Sequence, residues 1–481
     1  MPGPEQLTPL PSFALPSRPW SSRNRAADGN VAEALATLKG TAQRAEEGSE
    51  GGSPAPGSGA YLRLLLALLL PAALFNSYDG ELRAVLLNQL KGSFHVGTAA
   101  IGAASIPIGA GQFVAFFGVL AADRIGRRPV LMWSVLGYTA FTTLTALSWS
   151  LWSFAAFQCA AQVFIGAEFG VAVTLLAEEV PPERRGRYLS LLLLVSPLGA
   201  VMAGLLVALG FLHNGLGWRA FFLLAAVPLL VVFFARRRLR ESEAFLVARK
   251  AQAPRRRRSV AQLVVGSLAV FRGAARPRIL AVGAIAFLQG LASAAAVGWW
   301  TYYAEHERHF GTTAAGAFFA AAALVSVLGY LACGRMADRV GRRPTSVVYI
   351  IGAAICTVVT FQVSDRWLML PFLVGTAFFG IGIAPALSAF ATELFPTTVR
   401  AQASAWVRNG FGNTGSVLGP ALVGILGAST APLHSIGTAV TVLAAVFVLA
   451  VPAVVWLIPE TRAARLDLEQ AQGEGTHPGP A

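Results

Sequence analysis

Of the 481 residues, 55% are apolar and only 13% charged, about half the ~25% charge of a soluble domain. With a mean hydropathy of +0.59, a chain this long cannot cover a soluble surface. The balance of 38 basic to 24 acidic residues, +14 overall, suits both nucleic-acid binders and membrane proteins, so the placement of the charges decides between them.

Residues 1–59 are rich in Pro, Gly, Ser, Ala and charge, with no apolar core of a signal peptide, and predict a disordered cytoplasmic N-terminal tail. From residue 60, apolar runs of roughly 18 to 25 residues recur, each long enough to cross a ~30 Å hydrocarbon layer. They predict spans near 62–88, 97–121, 129–149, 151–177, 187–211, 218–235, 279–303, 314–334, 345–363, 367–391, 402–427 and 435–458. The expected fold is an all-α polytopic membrane protein of twelve helices. Its parts are a six-helix bundle over 60–235, a basic loop over 236–278, a second bundle over 279–460 and a C-terminal tail over 461–481.

Loops after even-numbered spans collect the arginines: Arg124, Arg127 and Arg128, then Arg184, Arg185 and Arg187, then thirteen basic residues in the central loop. Arg335, Arg339, Arg342, Arg343 and Arg400 follow, whereas loops after odd-numbered spans hold only Lys91, Arg219, Arg308 and Arg366. Basic residues concentrate on the cytoplasmic side. Both termini are therefore expected in the cytoplasm of a cell (inner) membrane, and the basic charge is topological rather than a nucleic-acid footprint. Lysine occurs only at positions 39, 91 and 250, and this preference for arginine, with abundant Ala and Gly, points to a GC-rich bacterial genome. Cys159, Cys333 and Cys356 lie in or beside apolar runs without paired spacing, so neither a disulfide framework nor a metal site is expected.

Asp123-Arg124-Ile125-Gly126-Arg127-Arg128-Pro129 follows span 2, and Asp338-Arg339-Val340-Gly341-Arg342-Arg343-Pro344 follows span 8, 215 residues later. Glu178-x-x-Pro181-x-x-x-Arg185 and Glu393-x-x-Pro396-x-x-x-Arg400, after spans 4 and 10, share the offset of 215. Two motifs with one offset imply a duplicated six-helix unit. Six is even, so both copies enter the membrane from the same side, the parallel repeat that puts a binding site between two rocking halves.

On these motifs the chain resembles the major facilitator superfamily over residues 60–460. Gly166-Ala167-Glu168-Phe169-Gly170, with Glu178 to Arg185 after it, resembles a segment of metabolite–proton and sialate-type symporters. Gly217-Trp218-Arg219, Arg240-Glu241-Ser242 and Pro459-Glu460-Thr461 are similar to segments flanking spans 6 and 12 of sugar and organic-acid porters. Three positions depart from the family pattern: Val119 stands for a glycine, Gln158 for an arginine, and Asn76-Ser77-Tyr78-Asp79 keeps only the second aspartate of the usual segment. The resemblance implies a secondary transporter working by alternating access, without cofactor, driven by a proton gradient and functional as a monomer.

Asp123, Arg127, Glu178 and Arg185, repeated as Asp338, Arg342, Glu393 and Arg400, can make charge-assisted bonds at the inner mouth. Formed only when that mouth is closed, they would gate it; otherwise the arginines only fix topology. Charges within spans normally face a cavity or a partner. Span 1 carries Asp79, Glu81 and Arg83, with Asp79 and Arg83 spaced to share a helix face and pair. Asp79 either exchanges the coupling proton or sits with its neighbours in the outer headgroups. Glu168 has no basic residue within four positions; it is either a second proton carrier or a neutral acid bonded to another helix. Arg408 either holds a substrate carboxylate or snorkels to the interface. Asn76, Tyr78, Arg83, Gln112, Gln158, Gln162, Gln289, Asn409 and Asn413 complete the cavity candidates. Trp299, Trp300, Tyr302 and Tyr303 end span 7 as an aromatic belt or an outer gate.

Enzymatic motifs are absent: the sequence holds no Gly-x-Ser-x-Gly, His-Glu-x-x-His or phosphate-binding glycine loop. A sensory membrane protein and a drug–proton antiporter are rivals. Span 5 offers Ser196-Pro197-Leu198-Gly199-Ala200 without the glycines that usually precede such a segment in antiporters. The residues point most directly to proton symport of a small polar or anionic metabolite across the lipid bilayer.

Overall fold

The computed structural model describes residues 59–213, 215–237, 239, 241, 268–271, 276–395 and 397–461. The chain divides at Tyr61 into two compact units, and of the first only residues 59–61 are described. The tails and most of the central loop, including the run Arg255 to Arg258, lie outside the described residues.

Hydrocarbon offers the backbone no hydrogen-bond partner, so a spanning chain must satisfy its own N–H and C=O groups. The described residues accordingly form helices and no strand. In the N-terminal half these are α1 (Gly59–Val85), α2 (Leu87–Phe94), α3 (Thr98–Ile125), α4 (Arg127–Ala146), α5 (Leu151–Glu179), α6 (Pro182–Ala208) and α7 (Arg219–Arg236). In the C-terminal half they are α8 (Arg276–His306), α9 (Thr312–Arg339), α10 (Arg342–Gln362), α11 (Arg366–Gly380), α12 (Ala384–Glu393), α13 (Thr397–Ala405), α14 (Asn413–Leu426) and α15 (Ile436–Phe447).

Ten described helical stretches are long and apolar enough to cross a membrane. The other two places in the twelve-span, two-repeat arrangement fall to α4 and to Thr397–Leu426. α4 is more polar, and it returns the hydroxyls of Thr139, Thr143 and Thr145 to carbonyls of its own preceding turn at 2.7–2.8 Å. Thr397–Leu426 is broken by a π-helical turn at Trp406–Gly412, which re-aims the side chains around Arg408.

The halves repeat one joint. Between α3 and α4 the chain turns at Gly126 with φ +120°, and between α9 and α10 at Gly341 with φ +119°, values that favour glycine. The end of the molecule carrying these turns is the arginine-rich face.

The buried core forks. One apolar cluster takes in both halves, with Phe154, Phe221 and Phe222 beside Trp299, Trp300 and Tyr303. Towards the arginine-rich face each half keeps its own cluster: Leu65, Leu69, Leu175 and Leu176 in one, Ile285, Ile350, Phe390 and Val454 in the other. At the opposite face the halves meet backbone to backbone. A Cβ on Gly102 of α3 would stand 2.8 Å from the Cα of Gly424 in α14, and one on Gly204 of α6 would stand 2.8 Å from the carbonyl oxygen of Gly316 in α9. Small residues permit such close crossings between membrane helices.

Candidate functional site

At the arginine-rich face each half builds the same brace. Arg127 Nη2 donates to Glu178 Oε1 at 2.9 Å, and Arg342 Nη2 to Glu393 Oε1 at 3.2 Å. Arg342 also lies 3.2 Å from Asp338, whose side chain is largely exposed. Behind each brace a carboxylate caps a helix start, that of α4 in one half and of α10 in the other. Glu241 Oε1 accepts from the Arg127 backbone N–H at 2.7 Å, and Glu460 Oε1 accepts from that of Arg342 at 2.9 Å, as suits an anion at a helix N-terminus. A side chain on Gly126 or Gly341 would collide with that carboxylate.

These bonds lie within each half and do not bridge the two. They are formed although the halves keep separate cores at this face, which corrects the expectation that they form only on its closure. Arg185 is exposed without an ion pair or side-chain hydrogen bond among the described residues, and Arg400 donates to its neighbour Phe395's carbonyl at 3.3 Å. The side chain of Asp123 lies outside the described residues.

A buried polar network crosses the N-terminal half. Glu168 Oε1 accepts from Arg236 Nη2 at 2.6 Å, and its Oε2 accepts from Asn76 Nδ2 at 2.5 Å. Arg236, 0% exposed, also donates to the carbonyls of Leu131 and Leu68. Glu168 is thus no lone acid, because its cation comes from the far end of α7. That partner was missed among the arginines that fix topology. Its signal was the spacing Ala225, Leu229, Val232, Arg236, which puts it on the buried face of α7.

One turn beyond Asn76, Asp79 is fully enclosed, so the headgroup alternative fails for it. Thr142 Oγ1 donates to its Oδ1 at 3.5 Å, while Asp79 Oδ2, Asn76 Oδ1 and Gln158 Oε1 are buried acceptors without a donor. The expected Asp79–Arg83 ion pair does not form; Arg83 lies within electrostatic reach of both Glu81 and Asp79.

A cavity of about 240 Å³ opens between the halves. α1 contributes Ser77 and Glu81, α6 Pro197 and Ala200, and the C-terminal helices add Trp300, Phe319, Ser326, Tyr330, Phe361 and Thr376. The polar candidates named from the sequence do not line it. Tyr78 turns its hydroxyl to the Phe221 carbonyl, Gln158 to Thr145, Gln112 to Gln162, and Gln289 to Ser293 and the Gly380 carbonyl. Asn76 and Arg83 also lie outside the lining, as do Asn409, Asn413 and Arg408, whose guanidinium stands 5.6 Å from the Phe169 ring centroid across the two halves. Which helix face borders the cavity depends on packing, which hydropathy does not encode. Glu81, read only as one of three neighbouring charges, is the acid that borders it.

The aromatic group ending α8 is buried, which removes the lipid-belt reading. Trp299 donates to the Pro420 carbonyl, Trp300 lines the cavity, and Tyr303 donates to the Phe361 carbonyl. Here the halves are laced together at the closed face. Lys91 Nζ donates to Tyr302 Oη at 2.9 Å, Asn88 Nδ2 to Glu305, and the Thr301 hydroxyl to the Ala84 carbonyl.

The repeat, its paired braces and the cavity between two halves have a counterpart among known proteins. The sequence profile of the Major Facilitator Superfamily matches residues 69–329 and 282–480. The chain belongs to the major facilitator superfamily. It is 30% identical over 355 residues to a Haemophilus influenzae protein assigned to metabolite transport, covering 73% of this chain and 84% of the relative. It is 29% identical to a cis,cis-muconate transport protein of Acinetobacter baylyi, with 76% and 87% covered. Among solved structures, the crystal structure of a D-xylose-proton symporter superposes with a TM-score of 0.69 at 16% identity, covering 84% of this chain and 99% of that one. That likeness concerns the fold. As a member of the superfamily the protein is a membrane transporter of small molecules, not an enzyme.

Proposed function

We propose that this transporter couples the uptake of a small organic acid anion to protons. It would work as a monomer in a bacterial inner membrane with both termini in the cytoplasm. The observation that carries the reading is a cavity of about 240 Å³ between the halves, lying beside a buried carboxyl-bearing stretch of α1. The volume suits a small metabolite, and similarity to a muconate transport protein supports a carboxylate. Asp79, fully enclosed with its Oδ2 undonated beside Thr142 and Gln158, has the surroundings of a group that holds a proton. Glu168, tied to Arg236 and Asn76, is better suited to link α1, α5 and α7 while they move together. The proton gradient replaces any cofactor.

A second reading is favoured by one observation. Among the described residues, the one charged side chain lining the cavity is an acid, surrounded by Trp300, Tyr330, Phe319 and Phe361, and aromatic faces with a carboxylate suit an organic cation. That chemistry would make the protein a drug–proton antiporter. The discriminating experiment is uptake into proteoliposomes of labelled muconate, benzoate, nicotinate, xylose and a cationic dye, with and without an inward proton gradient. Accumulation of a carboxylate under the gradient supports symport. Dye movement driven only by an opposed gradient overturns it in favour of antiport.

A further inference from the structure

Asp79, Glu81, Arg83, Glu168 and Arg236 are charged side chains packed among the helices of the N-terminal half. Four of them do not line the cavity. Asp79 is fully enclosed, turned towards Thr142 and Gln158. Glu168 and Arg236 are committed to each other, and Arg83 lies outside the lining. Glu81 alone among them lines the cavity, and it is partly accessible there.

Its surroundings define its charge state. On its own helix Arg83 is the cation within reach, and Arg83 is shared with Asp79. Two acids and one guanidinium leave a formal charge of −1 when all are ionised. Among the described residues of the lining, the other helices bring no compensating cation: α6 supplies Pro197 and Ala200, α8 Trp300, α10 Phe361, α11 Thr376, and α9 only the phenol of Tyr330 as a titratable group; Arg408 stands behind that phenol, within its electrostatic reach but outside the lining. An anion entering this low-polarity space meets a like charge at short range, where screening is weak.

The repeat sharpens the point. The position 215 residues after Glu81 is Ala296, which lines the same cavity. The two halves therefore present the same helix position to the substrate space, one as a carboxyl and the other as a methyl.

We propose that Glu81 is the residue at which proton and substrate anion meet: the cavity accepts the anion when Glu81 is protonated, and the bound anion keeps the proton there. This rests on the anion-symport reading above. The neutral carboxyl donates a hydrogen bond to the substrate carboxylate, and no covalent bond changes. The proton enters with the anion from one side and leaves with it to the other. Linkage makes the effect reciprocal, so the proton strengthens anion binding by the same factor as the anion strengthens proton binding, in the usual range of about 5- to 150-fold.

The test uses full-length protein in proteoliposomes, comparing wild type, Glu81→Gln and Glu81→Ala, the last carrying the residue of the other half. The probe is whichever of labelled muconate, nicotinate or benzoate the wild type accumulates under an inward proton gradient. Gln mimics the protonated acid, so Glu81→Gln should retain gradient-free counterflow with an affinity that no longer varies with pH. It should also lose accumulation beyond equilibration. Glu81→Ala should be uncoupled likewise, and it reports if the Gln variant does not fold; Glu81→Asp should restore coupling. If either uncoupling variant still accumulates the probe as the wild type does, Glu81 is not the meeting point, although symport stands. If the wild type accumulates no carboxylate, the functional reading fails first, and this proposal with it.

Discussion

The two halves are built to one plan at their arginine-rich ends and to different plans inside. Arg127 and Glu178 correspond to Arg342 and Glu393, and Glu241 to Glu460, with matching bonds. Deeper in, the correspondence stops. At the 215-residue offset, Asn76 becomes Leu291, Asp79 Ala294, Glu81 Ala296 and Glu168 Ile383. The N-terminal half holds the buried ionisable chemistry, and the C-terminal half supplies most of the cavity's aromatic and small-residue wall. What both halves keep maintains each bundle as a rigid body. What only one half has is where proton and substrate chemistry should be sought.

The comparison breaks most severely at Arg236. Removing one partner of a buried pair strands the other charge, at a cost of about 3–5 kcal/mol. Arg236→Met should therefore lower the thermal unfolding temperature in detergent more than any other single change discussed, by leaving Glu168 without its cation. The double variant Arg236→Met with Glu168→Leu, which imitates the apolar position of the C-terminal half, should recover much of the loss. Independent, additive losses in the two single variants would show that the pair does not act as a unit.

Much of this architecture was legible in the sequence, and for physical reasons. A repeated Gly-Arg-Arg-Pro turn needs glycine for its backbone and arginine for its brace, so both survive as letters at a fixed offset. Apolar length alone reveals a span. Partners between helices leave no such trace: Glu168 looked isolated because its cation lies 68 residues away within an arginine run already explained by topology. The cavity was not legible either. Asn, Gln and Tyr side chains were expected to line it, and most of those bonded instead to neighbouring helices or carbonyls. Small residues such as Ala200 and Ala296, which carry no chemical label, form its wall beside one acid.

A smaller effect should come from the closed face, where the halves differ from a single bundle only in being separable. A side chain on Gly424 would meet the backbone of Thr98 and Gly102 within 2.8 Å, so the helices must part. Overpacking of this kind costs about 1–3 kcal/mol, here charged against the closed state alone. Gly424→Leu should thus shift the population towards an open face by roughly 5- to 150-fold, since 1.4 kcal/mol is tenfold. The readout is a cavity cysteine, Ala200→Cys, in a background without Cys159, Cys333 and Cys356. Faster labelling by a membrane-impermeant thiol reagent from that face is expected in the leucine variant. Unchanged labelling would mean that α3 and α14 do not control access.

The smallest effect tests the similarity of the halves rather than their difference. Glu241 and Glu460 each satisfy two backbone N–H groups at a helix start, through Arg127 and Arg128 in one half and Arg342 and Arg343 in the other. Losing such a cap costs about 1 kcal/mol. Glu241→Ala and Glu460→Ala should therefore each lower stability slightly, and because they cap helices in different halves, the double variant should lose the sum. Beside Glu460, Thr461 donates its hydroxyl to Glu393, the acid that braces Arg342. Glu460→Ala should on that account loosen the brace as well as the cap. A double variant that loses clearly more or less than the sum would mean that the two caps are coupled through the body of the protein.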